Sequence, residues 1–201
     1  MRSSLIARHA QLVLNYYFLS FIFWIGLQKK TTMNSNKFTS PHAVWVTTAF
    51  FMLSFYGLGA GMMDSFVVYH TWRFIGDAEF SQAHIASGSR IVPVFVLPLL
   101  VMTIFLVLMF WHRPRVISRE MLWASLVCAI ISWLSSAFIQ IPMQAQLSQG
   151  KDVALLNELI YTDWIRIIPH WIMMVIVAMM IKMTISQKEV VKQFKRQAVP
   201  S

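Results

Sequence analysis

The chain has 201 residues, of which 57% are hydrophobic and only 12% are charged. Charged residues make up about a quarter of an average soluble domain, so this composition excludes an ordinary soluble protein and indicates a protein in contact with the lipid bilayer. The formal net charge is +9, but the basic residues lie in short clusters between apolar runs, which is typical of membrane topology and not of a nucleic-acid interface. The single cysteine, Cys128, excludes a disulfide framework.

Four apolar runs are long enough to cross a bilayer, which takes about 20 residues. We therefore predict an all-α fold, an integral membrane four-helix bundle with short extracytoplasmic helices. Residues 33–183 would form the four-span membrane domain, and residues 184–201 a basic cytoplasmic tail. The four runs are 43–69, 91–111, 121–142 and 164–183.

The basic residues orient these spans, because cytoplasmic loops carry an excess of lysine and arginine. Basic clusters precede the first run, separate the second from the third, and follow the fourth, whereas the connections 70–90 and 143–163 are balanced or acidic. We expect a multi-pass protein of the bacterial cytoplasmic (inner) membrane, with both ends of the four-span unit in the cytoplasm. The basic clusters are Lys29, Lys30 and Lys37; Arg113, Arg115 and Arg119; and Lys188, Lys192, Lys195 and Arg196.

A shorter apolar run at residues 12–27 breaks this alternation. If it crossed the membrane, Arg2 and Arg8 would lie outside, against the positive-inside rule. A cleaved signal peptide would release the next segment on the wrong side, and no small-residue cleavage site follows the run. We interpret residues 1–32 as an N-terminal apolar extension: either translation starts at Met33, or the run forms a fifth, re-entrant or interfacial helix.

One face of the first span carries small and polar residues: Ser54, Gly57, Gly61 and Asp64. Small residues allow another backbone to approach closely, so tight packing is the simplest interpretation of this face. An acid at membrane depth is costly and usually functional. Asp64 is therefore also a candidate for binding a substrate.

The polar segment 70–90 predicts a short helix after Gly76, capped by Asp77. Its periodicity places His84 on the side that packs against the bundle, so His84 is a candidate catalytic base. His70 and Arg90 are candidates for binding substrate. The alternative is that both histidines make interfacial hydrogen bonds, and two histidines this far apart predict no metal site.

Polar residues recur at every fourth position of the third span, from Cys128 to Gln140. Gln140 and Gln144 are candidates for binding substrate near the end of this span. After a turn at Gly150, the apolar pattern of residues 153–160 predicts an amphipathic helix on the outer surface.

The strongest candidate site opens the fourth run. Asp163, Arg166 and His170 are spaced i, i+3 and i+7, so they share one helical face. We take these three residues as catalytic candidates and Trp164 as a substrate-binding candidate. The structural alternative is that Arg166 merely pairs with Asp163. Because all of these polar features fall on the same side of the membrane, we predict an outward-facing polar pocket between the helices.

Three strings resemble uncharacterised bacterial four-span membrane proteins related to the anthrone-oxygenase-like family. The resemblance covers about residues 45–183 and implies oxidation of a small lipophilic aromatic without a dedicated metal or flavin. It assigns no catalytic roles to the matching positions, which are His84, Arg90, Gln140, Asp163, Trp164 and Arg166. The strings are Phe80-x-x-x-His84-x-x-x-x-x-Arg90-Ile91, Gln140-Ile-Pro-x-x-x-x-Leu147-x-x-Gly150-x-Asp152 and Leu159-Ile160-x-x-Asp163-Trp164-Ile165-Arg166.

Two function classes follow. The first is a membrane enzyme whose lipophilic substrate enters from the bilayer, with His84 or His170 as general base and Arg166 and Gln140 stabilising an oxyanion. The second is a non-catalytic binding or accessory subunit that holds a quinone, a haem or a partner helix; the position of the histidines near the rim disfavours haem. Transport is a third, weaker option, because four short helices leave little room for a pathway. The sequence identifies neither a cofactor nor an oligomeric state.

Overall fold

A computed structural model describes residues 41–197, with side chains up to residue 187. The interpretations of residues 1–32 and of Met33 lie outside the described residues. The described part of the chain contains helices and no strands. Four of its helices are long and apolar enough to cross a membrane, so the predicted all-α four-helix bundle of a multi-pass membrane protein is confirmed.

The first three spans are the helices α1 (Pro41–Phe74), α2 (Asp77–His112) and α3 (Arg119–Leu147). The fourth span consists of α4 (Val153–Thr162) and α5 (Trp164–Gln197), which meet at Asp163. Successive spans are antiparallel. The turns at residues 75–76 and 148–152 lie at one end of the bundle, here called the capped end, and the loop 113–118 lies at the other, the loop end.

The helices are longer than the apolar runs suggest. Gly76, not Asp77, is the cap residue before α2, and Asp77 is the first residue inside the helix. The predicted short helix is therefore the beginning of α2 itself, which continues through Pro93. Likewise, α4 leads almost directly into α5, since the backbone N–H of Asp163 still bonds to the Leu159 carbonyl. The predicted basic tail continues α5 as far as Gln197.

The half of the bundle near the loop end is packed with apolar side chains. Leu106, Met109 and Leu122 are completely buried, and the rings of Phe110 and Trp123 stand 4.9 Å apart across α2 and α3. Van der Waals packing of this kind is the main attraction between helices in lipid. Close packing therefore joins α2 to α3 in this half of the molecule.

The capped end has its own apolar cluster, formed by Tyr69, Trp72, Phe80, Leu147, Leu156 and Leu159. Lys151 ties the two turns together, because its Nζ donates to the carbonyls of Ile75 (2.6 Å) and Arg73 (3.1 Å) at the end of α1. Helix ends leave such carbonyls without partners inside the helix. The turn before α4 thus satisfies the end of α1.

The small-residue face of α1 packs against α2. A Cβ added to Gly57 would lie 2.6 Å from Cδ2 of Leu99, whereas at Gly61 the nearest atom would be 3.7 Å away on Phe95. The absent N–H and the ring of Pro98 prevent the usual hydrogen bond to the Val94 carbonyl, and the hydroxyl of Tyr56 on α1 donates to that carbonyl instead.

Three spans each contain one π-helical turn, at Asp64–Val68 in α1, Val92–Val96 in α2 and Ser136–Gln140 in α3. A π turn inserts an extra residue and is frequent at functional sites. The fourth span contains Pro169 inside α5. These irregular turns, or residues within one turn of them, contribute to the wall of one cavity.

Candidate functional site

A cavity of about 540 Å³ lies between α2 and α3, and α1 and α5 close its back. Most of its wall is apolar, and its polar lining comes from α1, α3 and α5. The apolar wall includes Ile91, Val96, Met102, Ala129, Trp133 and Met173, and the polar lining includes Asp64, Ser132, Gln140, Gln144, Arg166 and His170.

The cavity opens on the side of the bundle. Nearer the loop end α2 and α3 touch, with Nε1 of Trp133 donating to the Thr103 hydroxyl at 3.1 Å. Towards the capped end the cavity separates the two helices, and two of its lining residues, Val92 and Ile141, are also exposed on the outside of the bundle. In a membrane-spanning bundle this side faces lipid, so an apolar molecule has a route from the bilayer into the cavity.

A buried guanidinium holds the polar end of the cavity together. Nη2 of Arg166 lies 2.7 Å from Oδ1 of Asp163 and 3.1 Å from Oδ2 of Asp64. The same nitrogen donates to the hydroxyl of Tyr69 at 3.4 Å, and the guanidinium carbon stands 5.4 Å from the centre of the Phe95 ring. Spans α1 and α5 are therefore joined through charged groups inside the bundle.

The positions of these acids depend on their neighbours. The hydroxyl of Ser65, the residue after Asp64, donates to Oδ2 of Asp163. Asp163 is only 1% exposed and sits at the junction of α4 and α5, where its own carbonyl accepts from the backbone N–H groups of Arg166 and Ile167. Oδ2 of this carboxylate thus accepts a hydrogen bond from Ser65, and Oδ1 is in ion-pair contact with Arg166.

Asp64 is only partly satisfied. The residue lines the cavity and is 6% exposed, and its buried Oδ1 has no hydrogen-bond partner. Two carboxylates, Asp64 and Asp163, share the one guanidinium of Arg166. With all three groups ionised, the cluster carries one formal negative charge at the edge of the cavity.

His170 presents a defined ring nitrogen. Its Nδ1 lies 2.8 Å from the carbonyl oxygen of Arg166 and 3.3 Å from the hydroxyl of Ser132. A carbonyl can only accept, so Nδ1 carries the proton of the neutral ring and Nε2 carries the lone pair. His170 lines the cavity and is therefore suited to take a proton from a bound molecule.

The two glutamines approach the cluster from α3. Nε2 of Gln144 donates to the Tyr69 hydroxyl at 2.9 Å, which also lies beside the carboxylate of Asp64. Nε2 of Gln140 reaches the Thr162 hydroxyl at 3.5 Å, while its Oε1 is buried without a partner. Two residues that line the cavity, Asp64 and Gln140, thus each have a buried oxygen without a hydrogen-bond partner.

The structure brings together six of the ten residues singled out from the sequence, namely Asp64, Gln140, Gln144, Asp163, Arg166 and His170. Five of these six, all but Asp163, line the cavity, and the other four do not. Nδ1 of His70 faces the Ser65 carbonyl at 3.2 Å, and Arg90 is exposed. Trp164, also exposed, stands edge-on to Phe66.

His84 lies in the capped end. It is 4% exposed, and its ring centre is 4.5 Å from that of Trp72 and 5.7 Å from that of Phe80. Neither ring nitrogen has a hydrogen-bond partner. This aromatic packing places His84 behind the cavity wall, one helical turn before Gly88, which does line the cavity.

Sequence periodicity missed Tyr69 and Ser65. An α-helix places residues i and i+4 on one face, so Asp64 and Tyr69, five positions apart, are not expected to meet. The π turn at Asp64–Val68 changes this relation, because its hydrogen bonds run from i to i+5. The sequence signal that was available is Asp64 beside Ser65, two polar residues together within an apolar run.

Within the described residues, no group of three or more histidine, cysteine, aspartate or glutamate side chains is arranged to hold a metal ion. No protein-family model, curated protein or solved structure matches the chain. The anthrone-oxygenase-like resemblance therefore stays a prediction, and the arguments about function rest on the cavity.

Proposed function

We propose that this protein is a membrane enzyme that takes a small lipophilic substrate from the bilayer into the cavity between α2 and α3. The supporting observation is the cavity itself: about 540 Å³, with apolar walls, one polar end and an opening on the side of the bundle. Binding sites for small molecules are commonly 300–1,000 Å³, mostly apolar, with a few convergent polar groups.

In the proposed reaction, Nε2 of His170 removes a proton from the bound substrate. The positive charge of Arg166 stabilises the anion that forms, since charge stabilisation is strong in a site without water. Asp163, which accepts a hydrogen bond from Ser65, holds the guanidinium in place. The family resemblance adds that the activated substrate is a small aromatic molecule that is then oxidised, as in an oxygenase. His170 is preferred to His84 as the base because it lines the cavity.

The alternative is a non-catalytic binding or accessory subunit for a quinone, a haem or a partner protein. One observation favours it: Arg166 is already shared by two carboxylates, which weakens its pull on a substrate anion. A turnover measurement separates the two functions.

We further propose that the protein lies in the bacterial inner membrane with the loop end in the cytoplasm and the capped end, nearer to the polar end of the cavity, outside. Arg113 and Arg115 of the loop and Arg119 at the start of α3 support this orientation. The test starts from Cys128→Ser, which removes the single thiol. A membrane-impermeant maleimide should label an added Gln149→Cys in intact cells, and an added Arg115→Cys only after permeabilisation. The reverse pattern would reject the orientation.

The binding proposal is tested by filling the cavity. Ala129 is buried and lines the cavity, whereas its neighbour Ile130 is exposed. Protein purified in detergent should carry a lipophilic compound that mass spectrometry finds in the wild type and in Ile130→Phe but not in Ala129→Phe. An identical set of compounds in all three proteins would argue against a ligand in this cavity.

Turnover is tested with anthrone as a probe in liposomes that contain the purified protein, by following dioxygen consumption. His170→Ala should lower the rate by about 10²–10⁴-fold, the usual contribution of a general base. His70→Ala is the matched control, since His70 does not line the cavity, and should retain the wild-type rate. Equal rates in both variants would remove His170 from the mechanism, and ligand binding without dioxygen consumption would favour the non-catalytic alternative.

A further inference from the structure

Arg166 keeps hydrogen-bond donors that its partners in the charged cluster do not use. All of its polar contacts with Asp64, Asp163 and Tyr69 are made through Nη2. Within the described part of the chain, Nε and Nη1 have no hydrogen-bond partner, although the residue is only 6% exposed. An N–H group without a partner is costly at membrane depth, where bulk water does not satisfy it. Arg166 therefore has the capacity for a further polar partner.

A second, smaller cavity lies against the same arginine. It has a volume of about 10 Å³ and is lined by residues of α1, α2 and α5. Three of these residues, Phe95, Arg166 and His170, also line the large cavity, so the arginine and the histidine of the candidate site border both. The rest of the lining of the small cavity consists of Leu58, Gly61, Met62, Ser65 and Ile167.

The size and the polar groups of the small cavity fit one water molecule. A space of about 10–15 Å³ is the smallest that holds a water, which also needs two to four polar partners. Arg166 offers a donor, and Nε2 of His170 offers a lone pair because Nδ1 carries the proton. The hydroxyl of Ser65 donates its proton to Asp163 and can still accept. One donor and two acceptors around one small space match a water, which both donates and accepts.

We propose that the small cavity binds one water molecule, which accepts a hydrogen bond from Arg166 and donates to Nε2 of His170 and to the hydroxyl of Ser65. Because a water can accept two hydrogen bonds, one accepting position remains for a molecule in the large cavity. The water thus satisfies a buried donor of Arg166 and links the base to the substrate site.

This water carries the proton in the proposed reaction, and that part of the inference rests on the proposed function. The bond between the substrate and its acidic hydrogen breaks, and the proton joins the water while one of the water's own protons moves to Nε2 of His170. The water is regenerated, the substrate becomes the anion that Arg166 stabilises, and the histidine becomes an imidazolium. A general base can act through one water in this way.

Gly61 allows the small cavity to be filled without a clash. A Cβ at this position would lie 3.7 Å from the nearest atom, on Phe95, which is an ordinary contact distance. Gly61→Ala should displace the water with a methyl group that makes no hydrogen bond, whereas Gly61→Ser should replace it with a hydroxyl that does. The matched control is Gly59→Ala, because a Cβ at Gly59 meets nothing within 4 Å and Gly59 lines neither cavity. Thermal unfolding verifies that each variant is folded.

The water is detected by solid-state NMR of the full chain in lipid bilayers, labelled with 15N-arginine and 15N-histidine. The signals of Arg166 and His170 are assigned as those lost in Arg166→Lys and in His170→Gln. Magnetisation should pass from water to a side-chain N–H of Arg166 in the wild type and in Gly59→Ala but not in Gly61→Ala. The signal of Nε2 of His170 should shift in Gly61→Ala and stay in place in Gly59→Ala. Spectra that are the same in the wild type and in Gly61→Ala would reject the water site.

The proton transfer is tested by dioxygen consumption with anthrone. Gly61→Ala should lower the rate by about 10²-fold, the lower end of what a general base contributes, and Gly61→Ser should recover most of this loss. Gly59→Ala should retain the wild-type rate. If the water signals disappear in Gly61→Ala while its rate does not change, the water does not carry the proton. If the wild type consumes no dioxygen, the proposed function and the proton transfer fail together, and the NMR spectra still decide whether the water site exists.

Discussion

The two halves of this bundle are held together by different interactions. Near the loop end, α2 and α3 meet through fully buried apolar side chains such as Leu106 and Leu122 and through the ring pair of Phe110 and Trp123. Nearer to the capped end, the same two helices are separated by a cavity, and π turns replace regular helix in three spans. Packing closes one half, and the other combines the apolar cluster of the capped end with a charged cluster beside the cavity.

This difference between the two halves explains why the buried charged residues lie in the half that contains the cavity. Where the cavity separates α2 from α3, these two helices do not pack on each other, and polar side chains link α1 to α3 and to α5 instead. The shared guanidinium of Arg166 joins α5 to α1, and the hydrogen bond from Gln144 to Tyr69 joins α3 to α1. Asp64, Gln144 and Arg166, which take part in these links, also line the cavity.

The largest expected effect comes from breaking the charged cluster. Arg166→Gln leaves two buried carboxylates without a counter-charge, so we expect a loss of about 3–5 kcal/mol in the free energy of unfolding. Reversible unfolding in detergent micelles measures it. The control is Arg73→Gln, at an exposed arginine bonded to Asn157, which should cost less than about 1 kcal/mol. Equal losses in the two variants would mean that the cluster does not stabilise this half.

Next in size is a contrast in packing between the two halves. Leu106→Ala removes a completely buried side chain near the loop end and should cost about 2–5 kcal/mol, as large-to-small core substitutions do. Val96→Ala trims the wall of a cavity that already exists, so it should cost less than about 1 kcal/mol. Similar losses at the two positions would contradict the contrast.

A smaller effect is expected from removing the side chains that cap the first turns of α4 and α3, at the two ends of the bundle. The carboxylate of Asp152 accepts from two backbone N–H groups of α4, at 2.8 and 3.0 Å, whereas Ser118 accepts from one N–H of α3, at 3.4 Å. Asp152→Ala should therefore cost about 1 kcal/mol of unfolding free energy, and Ser118→Ala less. Thermal unfolding of both variants measures the difference, and a larger loss at Ser118 would reverse the assignment.

The smallest expected effect tests whether Leu99 can move into the cavity and so relieve a steric clash with a new side chain at Gly57. A Cβ at Gly57 would meet Cδ2 of Leu99 at 2.6 Å, while at Gly59 it would meet nothing within 4 Å. Leu99 lines the cavity and can turn into it, so Gly57→Ala should cost less than about 1 kcal/mol although overpacking usually costs about 1–3. Gly59→Ala should be neutral or stabilising. A large loss at Gly57 would show that Leu99 cannot move.

Much of the fold was predictable because lipid imposes simple rules. Apolar length predicted the four spans, and the small residues Gly57 and Gly61 predicted a close helix contact, which the structure shows between Gly57 of α1 and Leu99 of α2. Helix bounds were less predictable: the apolar run of the second span begins near residue 91, but α2 begins at Asp77. Polar residues can continue a helix beyond the apolar run, so hydropathy alone does not show where the helix begins.

The candidate site was predictable where it follows regular helical spacing. Asp163, Arg166 and His170 are i, i+3 and i+7 on one helix, and the structure places them around one cluster. Tyr69 was missed because a π turn changes the spacing. His84 was expected to face the bundle, which it does, but it is enclosed by Trp72 and Phe80 and separated from the cavity; such packing between distant segments leaves no periodic signal.

The pairing of Asp64 with Arg166 also bears on the order of events during synthesis. The arginine follows the aspartate by 102 residues, which takes a ribosome roughly 5–20 s at about 5–20 residues per second. During that interval the first span stands in or beside the membrane with an acid whose partner does not yet exist. The last helix supplies both the fourth span and the arginine that pairs with Asp64. A chain truncated before Arg166 would therefore present an unpaired acid to the quality-control proteases of the membrane.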